Sequence, residues 1–72
     1  MYNVAIIEKD GNIERVDLVE GVLVTEYDDG SLQSTTICDS DTDAARLLME
    51  YVEQGASTSS LSIDEAVRIL NS

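Results

Sequence analysis

Asn3-Val4-Ala5-Ile6-Ile7-Glu8-Lys9-Asp10-Gly11-Asn12 is the stretch on which the fold turns. Its first residues are largely apolar and rich in β-branched side chains, and Asp10-Gly11-Asn12 is a tight-turn signal, so a strand runs into a hairpin here. Two registers compete. With Gly11-Asn12 as the central turn residues, Lys9 faces Glu14, Glu8 faces Arg15, Ile7 meets Val16 and Ala5 meets Leu18. Opposite charges then stand across from each other, and apolar side chains do the same. With Asp10-Gly11 central, Ile7 faces Glu14 instead. The first register satisfies more pairs and is the one expected.

Working outward, a second strand runs roughly from Glu14 to Glu20, and Gly21 interrupts it. Val22-Leu23-Val24-Thr25-Glu26-Tyr27 reads as a third strand, Asp28-Asp29-Gly30-Ser31 as a second turn, and Leu32 to Cys38 as a fourth strand. Four short strands joined by tight turns predict an antiparallel meander. Beyond Cys38 the period changes. Ala44, Leu47, Leu48, Tyr51 and Val52 recur at helical spacing, and Gly55 is a natural residue just past the end, so a helix is expected over roughly 42–54. Gly55 to Ser60 reads as a flexible connector. Ser62-Ile63-Asp64-Glu65 has the form of a capping box with Leu61 as its staple, and Ile63, Ala66, Val67 and Leu70 supply the apolar stripe of a second helix, near 62–71. The expected fold class is therefore α+β: a four-stranded antiparallel β-meander followed by two α-helices packed on one face of the sheet. At 72 residues this makes a single small acidic domain over 1–72. Three Tyr are the only aromatic residues, so the core must be mostly Ile, Leu and Val, and a homodimer is one source of extra stability.

Composition narrows the chemistry. There is no His, so no Ser-His or Cys-His dyad and no imidazole metal ligand. One Cys allows no disulfide within the chain. No apolar run is long enough to span a membrane, and residues 1–10 lack the basic start and apolar stretch of a secretion signal, so a reducing cytoplasmic setting is expected. Fifteen acids stand against four bases, for a net charge of −11. The excess is not a tail: residues 1–38 carry eight acids and two bases, residues 39–72 seven acids and two bases. Such a chain repels nucleic acid and anionic membranes and attracts basic surfaces.

Three motifs invite chemistry. Asp39, Asp41, Asp43 and Glu50 stand at the first, third, fifth and twelfth places of an EF-hand-like loop. Ala44 occupies the place that needs Gly, Arg46 the place that is usually apolar, and the helical stripe already begins at Ala44. Aspartates that favour the positive end of a helix account for the run better than calcium does, and no metal or other cofactor is expected. Cys38 lies beside Asp39 and Asp41, which oppose a thiolate, so it reads as a small buried hydrophobe. Asp28-Asp29 is an adjacent solvated pair at a hairpin tip, without the contrasting environments that acid–base work needs. No catalytic set emerges, and no enzyme is expected.

What remains is the acidic surface. Alternate residues on a strand lie about 6.5–7 Å apart, and i, i+4 residues on a helix about 6 Å. Carboxylates at such spacings can stand in for phosphates and engage Lys and Arg through charge-assisted hydrogen bonds. The nominated contact residues are Glu26 and Asp28; Asp39, Asp41 and Asp43; and Glu50 and Glu53, with Asp43, Glu50 and Glu53 forming a row on the helix. In size, acidity and lack of a catalytic set, the chain resembles small phage-encoded inhibitors of bacterial defence, such as anti-CRISPR and DNA-mimic anti-restriction proteins. That likeness is compositional and transfers no residue. The reading it supports is an inhibitor or decoy that occupies the nucleic-acid-binding surface of a basic, DNA- or RNA-handling protein, with no direct binding to nucleic acid or membrane. The alternative is a small acidic interaction module or regulatory adaptor that binds through apolar surface or a sheet edge. In that case Leu32 to Ile37, which carries no charge and no Pro, is the edge to suspect.

Overall fold

The computed structural model describes residues 1–72. Strands β1 (Tyr2–Lys9), β2 (Asn12–Glu20), β3 (Thr25–Glu26) and β4 (Leu32–Thr36) form one antiparallel sheet, followed by helices α1 (Asp41–Glu53) and α2 (Ser60–Leu70). The chain thus has the expected α+β fold of four strands and two helices.

The strand order is β2-β1-β4-β3, which corrects the expected meander. Consecutive β2 and β3 stand at opposite edges, and β1 pairs with both β2 and β4. The reason lies in β1 itself. Asn3, Val4, Ala5 and Ile6 are all buried, so this strand is covered on both faces and belongs in the middle of a sheet, where a meander would leave it at the edge. Crossing from β2 to β3 spans three strand spacings, about 14 Å at about 4.8 Å each. Gly21 to Val24 are spent on that crossing, so the third strand shrinks from the expected Val22–Tyr27 to Thr25–Glu26.

The first hairpin also corrects the expected register. Asp10 and Gly11 are the central turn residues, with φ of 54° and 80°. Positive φ at both positions is what a type I′ turn requires, and an Asp-Gly pair meets it. That turn alone would set Ile7 against Glu14. A bulge at Glu14 absorbs the misfit: Glu8 pairs with Ile13 and Ile7 with Arg15, and the ladder continues as Ile6 with Val16 and Val4 with Leu18. The apolar pairs on the helix-facing side are recovered by one extra residue.

Val4, Ile6 and Val16 on the sheet meet Ala44, Ala45 and Leu48 of α1 and Ala66 and Ile69 of α2, with Cys38 completing the core. The small alanines let α1 lie close to β1 and β2. Ser40 caps α1 and accepts from the Asp43 N–H at 3.1 Å, while Asp41 and Asp43 sit in the first turn. α2 begins at Ser60 with Ser59 as its cap, so the expected box at Ser62–Glu65 lies inside the helix. Its buried stripe is Ser62, Ala66 and Ile69, rotated from the expected Ile63, Ala66, Val67 and Leu70. Ser62 is turned inward because its hydroxyl accepts the Leu18 N–H at 3.2 Å and donates to Asp17 at 2.9 Å. Leu61, the expected staple, is 79% exposed.

The two halves of the sheet are unequal. α1 packs over β1 and β2 and α2 over β2, and neither helix reaches β3 or β4. The outer edge of β2 is also covered. The connector before α2 runs beside it, with the Val16 N–H donating to the Ser57 carbonyl at 2.8 Å and the Ser57 N–H to the Glu14 carbonyl at 2.9 Å.

Candidate acidic interface and the open sheet edge

The bases are placed first, because they decide which acids stay free. Lys9 pairs with Asp29 at 3.6 Å, Arg15 with Asp17 at 2.8 Å, and Arg68 with Glu65. Lys9 and Arg15 were expected to face Glu14 and Glu8; the bulge gives them other partners. The Glu65 carboxyl is held below its usual range chiefly by its hydrogen bonds from Arg68. Asp29 is held down by the Ser31 hydroxyl and N–H, with Lys9 adding to them. Arg46 has no salt bridge.

Glu26, Asp28, Asp39, Asp41, Asp43, Glu50 and Glu53 are all exposed, as the sequence predicts, but they do not form one patch. β1 is about 23 Å long at about 3.3 Å per residue. The Lys9–Asp29 pair places Asp28 at the end of the sheet where the two hairpins turn. The Tyr2 N–H donates to Asp41 at 2.7 Å, which places Asp39, Asp41 and Asp43 at the other end. α1 runs between these ends. Tyr51, Gln54 and Ala56 share a shallow cavity with Gly11, Asn12 and Ile13, so Glu50 and Glu53 lie toward the hairpin turns.

The expected helix row is also interrupted. Arg46 lies three residues after Asp43 and four before Glu50, on the same exposed stripe. Asp41 and Asp43 have structural work at the positive end of α1, and Asp41 additionally ties down the start of β1. Glu50 and Glu53 have none. They stand toward the negative end of the helix, whose last turn contains no base.

Sequence reasoning missed Glu14. An open cleft on the sheet face away from the helices brings Glu14 together with Ile7, Tyr27, Asp28, Asp29 and Ser31. The bulge places Glu14 there, and no pattern in the sequence marks a bulge. Tyr27 is fixed by donating its hydroxyl hydrogen to Gln33 at 2.9 Å.

Cys38 is buried, and burial pushes its thiol up, with Asp43 and Asp39 pushing the same way. Its N–H donates to Asn3 Oδ1 at 3.1 Å, and Asn3 Nδ2 donates to the Gly21 carbonyl at 3.1 Å, so Asn3 ties the end of β2 to the end of β4. The Asp39-to-Glu50 run forms no calcium loop: its middle is the first turns of α1, with Ala44 fully buried.

The second candidate surface is the uncovered half of the sheet. β4 pairs with β3 only at Leu32 and Gln33. Beyond that point Leu23 lies alongside, but it is held by the Thr35 hydroxyl, which accepts the Leu23 N–H and donates to the Leu23 carbonyl, both at 2.9 Å. Val22, Leu23, Val24 and Ile37 are 59%, 51%, 74% and 62% exposed. The edge expected at Leu32–Ile37 is therefore second from the outside over two residues and open over the rest. No helix of the chain is long and apolar enough to cross a membrane. Comparison with protein families, with curated proteins and with solved structures finds no match.

Proposed function

We propose that the chain is a small acidic inhibitor or decoy that binds the nucleic-acid-binding surface of a basic partner protein. The observation that carries this reading is the placing of Glu50 and Glu53. Both are exposed, neither forms a salt bridge although Arg46 stands one turn before Glu50, and both work against the dipole of their own helix. Fold stability does not account for them, and a partner rich in Lys and Arg does. Glu26 and Asp28, which are likewise unpaired, extend the same acidic end, and Asp39 marks the other. Two acidic ends joined by a helix suit an elongated basic groove better than a single basic point. The reading needs no catalytic group and no cofactor.

The test is competition. Proteins captured from lysate on the immobilised chain should include nucleic-acid-binding ones. Their binding to DNA or RNA should be lost as the chain is added, and their capture should fall steeply with salt. Glu50→Lys with Glu53→Lys should weaken capture and flatten its salt dependence. Capture that is indifferent to salt, or that leaves nucleic-acid binding intact, rejects the proposal.

A second reading, an adaptor that binds through apolar surface, is favoured by the uncovered β3–β4 half with its exposed Val22, Leu23, Val24 and Ile37.

A further inference from the structure

The two edges of the sheet are treated differently. On β2 the backbone is occupied: Ser57 takes Val16 and Glu14, and Ser62 takes Leu18. On β4 nothing comparable exists past Gln33. Natural sheets protect an open edge with charge, Pro or a bulge. From Ser31 to Cys38 this chain has no charge and no Pro, and β4 pairs with β1 without a shift in register. What covers the place is Val22–Val24, three apolar residues pointing largely at solvent and held to β4 by one side chain, Thr35. A partner strand can exchange that single side-chain clasp for ladder hydrogen bonds while covering the apolar ridge.

Charge decides the occupant. Glu26 and Asp28 border the ridge at one end and Asp39 at the other, and the whole chain carries −11. A second copy would bring the same acids into contact. We propose that the β4 edge and the Val22–Val24 ridge form a docking groove for an extended segment of the partner protein, about six residues long, with an apolar centre and Lys or Arg at each end. This deepens the proposal above, since it rests on a basic partner, and it adds where a partner's flexible segment is held.

The test uses the full chain and two synthetic peptides. One has the sequence Lys-Arg-Val-Ile-Val-Thr-Val-Arg-Lys. The other is identical except for N-methyl groups on alternate central residues, which remove the hydrogen-bond donors and keep the charge. The first peptide should bind, with amide NMR shifts concentrated at Val22–Val24 and Leu32–Ile37. The methylated one should bind at least about tenfold more weakly, a difference of about 1.4 kcal/mol. Val24→Lys and Ile37→Lys are exposed changes that should leave the fold intact and weaken the first peptide at least about tenfold. Glu50→Lys with Glu53→Lys should change peptide binding by less than about threefold, since these acids lie on the helix layer. Equal binding of both peptides, or shifts confined to α1, overturns the groove. So does a dimer in sedimentation that Val24→Lys dissolves, which assigns the ridge to a second copy. If the groove fails while the helix double variant still abolishes capture of the cellular partner, the decoy reading stands alone. If the peptide docks as described and the double variant captures its partner normally, the groove stands and the decoy reading falls.

Discussion

Asp17 carries more of the fold than any other acid. Its carboxylate accepts from Arg15 at 2.8 Å, from the Ser62 hydroxyl at 2.9 Å and from the Ser59 N–H at 3.2 Å. Partial burial works to raise this carboxyl, and the hydrogen bonds from Arg15, Ser62 and Ser59 outweigh it, so the group sits below its usual range. A carboxyl depressed in the folded state adds stability that is present above its unfolded pKa, about 3.9, and is lost as pH falls through the lower folded value. Urea midpoints should therefore drop as pH goes below about 4, with α2 releasing from β2. Asp17→Ala should cost about 1.5–3 kcal/mol at neutral pH and remove that acid limb. A variant as stable as the parent would show the latch to be idle. None of this was legible beforehand. Asp17 looked like one acid among many on a strand, and Ser59 and Ser62 lie more than 40 residues away, the first in a connector that reads as flexible and the second in the first turn of α2.

At the scale of elements, both helices were legible to within two residues from their apolar period and capping residues, although the buried stripe of α2 is rotated toward Ser62 and Ile69. The strands were less so. Local turn signals found both hairpins, but which hairpins lie side by side is a non-local choice, decided by the double-sided burial of β1. The signal for it was present in Val4-Ala5-Ile6-Ile7, a run too continuous for an edge strand. α1 allows three expectations. Leu48 is fully buried, so Leu48→Ala should cost about 2–5 kcal/mol, which a chain this small cannot spare, and circular dichroism should show a broadened or absent transition. Glu53→Lys should do the reverse, raising stability by about 0.3–1 kcal/mol through the helix dipole while weakening the partner. A gain in stability with unchanged capture would separate the acid from the function. Calcium or a chelator should leave the melting temperature unchanged beyond a general ionic effect, because Asp41 and Asp43 already lie in the helix's first turn.

At the scale of the whole molecule, composition announced an acidic surface, and the placing of Lys9, Arg15 and Arg68 shows which acids it is made of. Three bases are paired locally and Arg46 alone stands free, so most of the acidic field is uncompensated. Self-repulsion then opposes folding, and screening should relieve it. Raising salt from about 20 mM to about 500 mM, which shortens the Debye length from roughly 20 Å to about 4 Å, should raise the melting temperature. A fall would mean that the three ion pairs outweigh the repulsion. The sheet has one further property at this scale. Because Ser57 seals β2 and only the β4 side stays open, the molecule offers one sheet edge and not two. Copies of the chain that pair through the β4 side have no second open edge through which a stack could continue. Self-association through the sheet therefore stops at two copies, and the uncharged run from Ser31 to Cys38 can stay exposed without this chain alone growing an endless fibre.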